Sequence, residues 1–191
     1  NSVRYSTFSR YNYAVTFNVV NYEPNQESSV AKNPTALKIP RSILNLTYRQ
    51  ARKSFPNECC GWLSGPRDSD EISQIRECVN AQNSGNHPTK PSRTAETAYV
   101  FTSTDLMDLN NSLDTEMPAR IIFHSHPNGR AYLSETDRSV AVSPWGDGPA
   151  YPVQQLVIGI NREQIVAAAL FSWSDEDSDF IEVARYDGAQ I

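Results

Sequence analysis

The sequence predicts a single α/β domain in which helices pack on one sheet. Four apolar residues recur at spacings of four, three and four, the period of a helix with one buried face: Leu44, Tyr48, Ala51 and Phe55. Three apolar runs near the C-terminus predict strands instead, at 155–160, 165–173 and 180–186. A chain of 191 residues can bury one sizeable core. Because no internal repeat is present, one layered α/β domain is expected.

Residues 1–36 predict an N-terminal extension ahead of a main domain at 37–191. From Tyr11 to Val19 apolar and polar side chains alternate, which is the period of a half-buried strand. A polar stretch with two prolines, 23–34, predicts a linker after it. We expect the strand to add to a sheet edge, either in its own subunit or in the partner of a homodimer. A flexible arm or an expression remnant is the alternative.

The main domain is expected to begin with a short strand at 37–39 and one amphipathic helix. Pro40 suits the first turn of that helix, and Pro56 ends it. Glu58 then opens an otherwise apolar strand, which ends in a turn at 64–66. An acid in that place is ordinarily an exposed carboxylate at a strand end, so Glu58 becomes a candidate only through the rest of the pattern. The next strand is expected around Ile72, Ile75 and Cys78.

The middle of the chain predicts a loop, a strand, a helix and the central strand. Residues 80–97 are polar and aperiodic, and their His87 is expected to face solvent. Residues 99–101 predict a strand, and Thr102 begins a helix whose apolar stripe we assign to the core: Leu106, Leu109, Leu113 and Met117. The central strand, 120–123, is followed by a short helix at 134–142 and a loop rich in glycine and proline at 145–152.

Composition excludes several classes of partner. The formal net charge of -5 argues against nucleic acid, which needs a basic surface. No run of 18 apolar residues occurs, so no membrane span is predicted. The three cysteines, Cys59, Cys60 and Cys78, are odd in number and two are adjacent, which favours a reducing, cytoplasmic setting over a disulfide framework. Without a Cys-x-x-Cys pair, metal binding by cysteine is disfavoured.

Two histidines and an aspartate are the candidate metal ligands. His124 and His126 are two residues apart at the end of an apolar strand, so their side chains point the same way while Ser125 points to the other face. Asp137 follows eleven residues later in the next helix. Three such ligands, with the fourth position left to water, are typical of a catalytic zinc site. Two alternatives stay open: a His-x-His pair that is only packed or exposed, and a capping box from Ser134 to Asp137 that needs no metal.

The combined pattern resembles the JAMM (MPN-plus, JAB1-type) metalloproteases. It consists of a Glu, then His-x-His, seven residues, Ser, two residues and Asp, and the matching positions are Glu58, His124, Ser125, His126, Pro127, Ser134 and Asp137. The resemblance implies a cytidine-deaminase-like JAB/MPN sandwich, with a mixed, mainly antiparallel sheet flanked by helices. It also implies one Zn²⁺ ion held by His124, His126 and Asp137. Glu58 would act as general base and then acid, and Ser134 would hydrogen-bond the oxyanion.

The substrate implied by this resemblance is a small carrier protein. The residues around the motif are most similar to those of the bacterial branch of the family. That branch includes enzymes that act on sulfur-carrier proteins. A zinc-dependent peptidase or isopeptidase is therefore expected, one that cleaves after the C-terminal Gly-Gly of a ubiquitin-like or sulfur-carrier protein and removes an extension, an amino-acid adduct or a conjugate. The alternatives are a non-catalytic MPN scaffold and a deubiquitinase-like enzyme of a bacterial conjugation or defence system. Another His-x-His metallohydrolase would show further histidines, and none follows His126.

Overall fold

The computed structural model describes residues 34–82 and 92–191. The predicted N-terminal strand at Tyr11 to Val19 and the loop histidine His87 lie outside these residues, so both stay predictions. Within the described ranges the chain forms three helices and six strands: α1 Arg41–Ser54, β1 Cys60–Ser64, β2 Gln74–Cys78, α2 Ser103–Ser112, β3 Ala119–His126, α3 Glu135–Ala141, β4 Gln154–Ile160, β5 Ile165–Ser174 and β6 Asp179–Ala189. None of these helices has the length and apolar content needed to cross a membrane.

The six strands form one sheet in the order β2-β1-β3-β4-β5-β6. Only β3 and β4 pair in parallel, and the other four pairings are antiparallel, which confirms the expected mixed, mainly antiparallel sheet. The two parallel strands lie at the centre and are buried almost throughout. Their near-continuous apolar sequences follow from this, since a strand that is covered on both faces has no polar side.

The first helix covers one face of the sheet. Leu44, Tyr48 and Ala51 of α1 are at most 1% exposed and belong to one apolar cluster with Phe123 of β3, so the predicted helical stripe is confirmed. The helix ends at Ser54, just before the predicted stop at Pro56. Gly61 of β1 leaves room for the same cluster, because a Cβ atom there would lie 2.6 Å from the Phe123 ring.

The opposite face carries α2 and a pair of aromatic rings, and here the prediction of a strand at 99–101 is wrong. The segment has no strand pairing; the Val100 N–H donates to Asn80 Oδ1 at 3.2 Å, and the Val100 carbonyl accepts from Ala81 at 2.9 Å. Tyr99 and Phe101 instead pack on the sheet with their ring centroids 5.7 Å apart. The apolar run that imitates a strand is thus explained by two rings that cover one sheet face.

Two other expectations are corrected in part. The short strand at 37–39 is only an isolated bridge between Lys38 and Glu71, because the chain turns into α1 at Arg41. The stripe on α2 is not wholly core: Leu109 is fully buried, whereas Leu106 is 41% exposed. Each remaining strand begins within two residues of its predicted start. Strand β6 ends at Ala189, three residues beyond its predicted end.

Candidate metal centre

The last residues of β3 place two imidazole rings side by side. His124 is fully buried and His126 is 5% exposed, and their Nε2 atoms lie 3.1 Å apart. Both side chains project from one face of the sheet, as the two-residue period of a strand requires. Ser125 lies on the other face, where its Oγ accepts a hydrogen bond of 2.9 Å from the Cys59 N–H. This contact orients Ser125 away from the imidazoles, so it is not a candidate nucleophile at this centre.

Asp137 reaches the imidazoles from the first turn of α3. Ser134 is the N-cap: its Oγ accepts from the Asp137 N–H at 3.2 Å, and Asp137 Oδ2 accepts from the Ser134 N–H at 2.7 Å. The same Oδ2 atom lies 3.4 Å from His124 Nε2 and 3.3 Å from His126 Nε2. The predicted capping box is confirmed, and it does not exclude metal binding, because the same carboxylate could take part in both.

These three atoms have the spacing that a tetrahedral zinc site requires. Ligand atoms at zinc bond lengths of roughly 2.0–2.1 Å lie about 3.3 Å apart at the corners of a tetrahedron. The distances between His124 Nε2, His126 Nε2 and Asp137 Oδ2 are 3.1, 3.3 and 3.4 Å. In the part of the chain that the structure describes, no fourth residue joins this group. The group fits a metal ion and leaves one coordination position open.

The charges at the centre are strongly coupled. Burial alone would raise the pKa of Asp137, but the two neighbouring imidazoles hold that pKa well below its usual range. Burial opposes the charged form of His124, yet the carboxylates of Asp137 and Glu58 raise its pKa above the usual value. Burial lowers the pKa of His126. A buried carboxylate held in its anionic form beside two ring nitrogens is an arrangement that favours a bound cation.

Glu58 faces the same centre from the residues before β1. Cys60 pairs with His124 in the antiparallel register of β1 and β3, so continuing that register by two residues places Glu58 opposite His126 and on the same face. Its backbone is held at both ends, because its N–H donates to the Ala95 carbonyl at 2.7 Å and its carbonyl accepts from Asn80 Nδ2 at 3.0 Å. The side chain is only 5% exposed and interacts electrostatically with His124 and Asp137, so it is buried near the centre rather than exposed at a strand end.

Burial raises the pKa of Glu58 to about 7. The residue is only 5% exposed; the positive charge of His124 lowers the pKa, Asp137 raises it, and the charge of Arg93 lowers it further. A carboxyl group with this pKa exchanges a proton readily near neutral pH. The arrangement can thus combine a cation with an adjacent proton acceptor.

Two tyrosines to which the sequence analysis gave no role contact the two imidazole rings. Tyr99 stacks on His124 with a centroid distance of 4.8 Å and an interplanar angle of 24°. Tyr132 meets His126 edge-on at 5.1 Å. The sequence offers only a weak indication that Tyr132 belongs to the site, because it lies between His126 and Ser134 in the motif. It offers no such indication for Tyr99. Together the two rings restrict the orientations available to the imidazoles.

The loop after His126 is held against β4. Gly129 has a φ of 79°, and its N–H donates to the Ile160 carbonyl at 2.9 Å. The loop passes so close to Gly159 that a Cβ atom there would lie 2.6 Å from the Gly129 carbonyl oxygen. This contact sets the return of the chain from His126 to Ser134, and with it the position of Asp137.

The three cysteines take no part in the centre. Cys59, Cys60 and Cys78 are free and buried, and burial raises the pKa of each thiol above its usual value. They are therefore protonated at neutral pH and poor as nucleophiles or ligands. This agrees with the expectation that they pack beside the site.

Comparison with known proteins points to one family. Residues 40–165 match the family described as prokaryotic homologs of the JAB domain, a range that includes Glu58, Ser134 and the three metal-ligand candidates. The CysO-cysteine peptidases of Mycobacterium bovis and Mycobacterium tuberculosis are 30% identical over 110 residues, which are 56% of this chain and 67% of each relative. The solution structure of a protein from Desulfitobacterium hafniense superposes on this chain with a TM-score of 0.53 and 20% sequence identity. The superposition covers 75% of this chain and 87% of that protein's chain.

Proposed function

Because this chain belongs to the family of prokaryotic homologs of the JAB domain, we propose that it is a zinc-dependent peptidase or isopeptidase. The observation that carries the proposal is the triangle of His124 Nε2, His126 Nε2 and Asp137 Oδ2, of the size that suits zinc, beside the buried carboxyl group of Glu58. A non-catalytic JAB/MPN scaffold would need neither the triangle nor the buried acid.

Zinc is the ion that this ligand set suits best. Two imidazoles and one carboxylate with an open fourth position are typical of catalytic zinc sites, and one ion would be held by His124, His126 and Asp137. When bound, zinc polarises a carbonyl group and activates water at neutral pH.

Glu58 is proposed as the group that moves the proton. Its carboxylate would accept a proton from the attacking water and then deliver that proton to the nitrogen of the leaving amine. The pKa of about 7 suits both steps, because neither form of the acid is strongly favoured near neutral pH. Its buried surroundings keep bulk solvent from competing for the proton.

Ser134 is proposed as the donor to the oxyanion of the tetrahedral intermediate. Its Oγ already accepts a hydrogen bond from the Asp137 N–H, so the hydroxyl hydrogen is free to donate. Loss of such a donor typically reduces turnover by about 100-fold or more. The cap also holds the hydroxyl next to the proposed ligand Asp137, where the reacting carbonyl would lie.

The proposed substrate is the C-terminal tail of a small ubiquitin-like or sulfur-carrier protein. The mycobacterial relatives are named as peptidases of CysO-cysteine, which supports a carrier rather than general protein digestion. His124, His126 and Glu58 are at most 5% exposed, so a slender, extended segment would reach them more easily than a folded surface. Two glycines before the scissile bond meet that requirement, because they add no side chain.

We also propose that the protein is cytoplasmic and does not bind nucleic acid. Three free buried thiols are what a reducing compartment preserves, and the net charge of -5 disfavours binding to phosphate groups. The group removed would be a C-terminal extension, an amino-acid adduct or a conjugated amine.

Metal analysis combined with mass spectrometry of a carrier ending in Gly-Gly-X tests this function. We expect Glu58→Gln to retain zinc and lose turnover, whereas His126→Ala and Asp137→Ala lose both. A matched carrier in which the second glycine is valine should not be cleaved. Loss of zinc from Glu58→Gln with its circular dichroism unchanged would refute the role of Glu58. Equal cleavage of both carriers, or rapid digestion of casein, would refute the carrier specificity.

A further inference from the structure

An apolar cavity opens directly beside Asp137, between α2 and α3. Its volume is about 190 Å³, and Asp137 forms part of its wall, so the cavity and the metal centre share a side chain. The apolar wall is formed by side chains from both helices, from the sheet, from the segment before α2 and from the loop before β4: Tyr99, Phe101, Leu106, Ile122, Val140 and Tyr151. The mechanism proposed above makes no use of this space.

The chemistry of the wall favours an uncharged, apolar ligand. Apart from Asp137, the lining residues in the described ranges carry no charged side chain, and the polar groups among them are neutral, such as Thr136 and Gln155. Leu106 on α2 and Val140 on α3 are 41% and 43% exposed, yet both line this one cavity. Two large apolar side chains left exposed around a concave space are typical of a binding site for an apolar group.

The size of the cavity corresponds to one large side chain. A protein cavity of about 150 Å³ lined by apolar side chains is enough to bind benzene. At about 190 Å³ this cavity holds a phenyl or isobutyl group with little space to spare. It is too small for a folded partner and larger than the thiol of a cysteine needs.

The position of the cavity identifies which substrate residue would fill it, if the proposed function holds. The two glycines before the scissile bond have no side chain. An extended residue spans about 3.3–3.6 Å, so in an extended tail the side chain that precedes Gly-Gly attaches roughly 7 Å from the reacting carbonyl. The cavity reaches the proposed centre at Asp137, so a side chain attached close to the reacting carbonyl is better placed to enter it than one attached roughly 7 Å away. We infer that it binds the side chain of the first residue after Gly-Gly and selects an apolar one.

Competition among carriers that differ only in this residue tests the inference with the full, zinc-loaded chain. Carriers ending in Gly-Gly-Phe or Gly-Gly-Leu should be cleaved with kcat/KM about 10- to 100-fold higher than those ending in Gly-Gly-Asp or Gly-Gly-Lys. Ala141→Leu, which adds volume to the wall, should reduce this preference at least several-fold. Ser139→Leu is the matched control, because Ser139 is exposed on the same helix and does not line the cavity.

Binding without turnover separates this inference from the proposed function. Phenylalaninamide titrated into the protein should shift the NMR methyl signals of Leu106 and Val140, and aspartic acid diamide should not. These shifts without cleavage of any carrier would show that the cavity binds an apolar side chain, and would overturn both the peptidase proposal and the assignment of the cavity to a substrate residue. Equal cleavage of all carriers, or no shift with phenylalaninamide, would overturn the cavity assignment and leave the peptidase proposal standing.

Discussion

Replacing Glu58 by Gln should abolish turnover and at the same time stabilise the metal-free protein at alkaline pH. Burial raises the pKa of Glu58 from 4.5 to about 7, and the residue is only 5% exposed, so screening by solvent is weak. Each pKa unit corresponds to roughly 1.4 kcal/mol, so the ionised carboxyl group costs the folded state about 3 kcal/mol. This cost is absent below about pH 4.5, grows as the pH rises, and is complete above about pH 7. Glutamine is neutral at every pH and avoids it.

Urea unfolding in the presence of a chelator, at pH 5 and at pH 8, measures this effect. At pH 8 Glu58→Gln should be more stable than the unmodified chain by about 3 kcal/mol, and at pH 5 by less than about 1 kcal/mol. Glu77→Gln makes the same chemical change at an exposed position of β2 and should change the stability by less than about 0.5 kcal/mol at either pH. An equal gain at both pH values, or none at pH 8, would refute the assignment of Glu58 as a buried acid with a raised pKa.

Three further predictions concern packing, charge and the N-terminal segment. Gly61→Ala should destabilise the protein by about 1–3 kcal/mol in urea unfolding, because its Cβ atom would lie 2.2 Å from the Arg76 carbonyl oxygen and 2.6 Å from the Phe123 ring. Gly148→Ala should not, because its Cβ atom would meet no neighbouring group within 4 Å. Arg93→Ala should shift the acid limb of the pH–rate profile to higher pH, because the charge of Arg93 lowers the pKa of Glu58. An acid limb at unchanged pH in low salt would contradict this. Deleting residues 1–33 should lower the melting temperature or change the mass in light scattering, and if neither changes, the predicted strand at Tyr11 to Val19 contributes no packing.

The parts of the site that follow from local geometry could be predicted from sequence. Alternation along a strand was enough to place His124 and His126 on one face, and the Ser134 to Asp137 spacing was enough to predict the cap. Glu58 was located only through the whole motif. Its burial and raised pKa depend on a β1–β3 register and on segments distant in sequence, which no local pattern reports.

The errors have the same origin. The segment with Tyr99 and Phe101 has the apolar and aromatic residues of a strand, but whether such a segment pairs is decided by what lies beside it, and here Asn80 and Ala81 take the backbone hydrogen bonds of Val100. Leu106 belongs to a correct helical stripe, yet it faces a cavity rather than the core. Periodicity shows which side chains share a face, and it does not show whether that face is covered.

The short helix α3 contributes side chains to both the proposed metal site and the apolar cavity. Asp137 in its first turn is both the acidic member of the capping box with Ser134 and a proposed ligand, and Val140, three residues later, lines the apolar cavity. A helix of seven residues has little freedom to adjust at one end without moving the other. Metal affinity and cavity affinity should therefore share a coupling free energy, which by thermodynamic linkage must be the same in both directions. If a ligand in the cavity raises the affinity for the metal, the bound metal must raise the affinity for that ligand by the same factor. The metal would then act as an allosteric effector of side-chain selection.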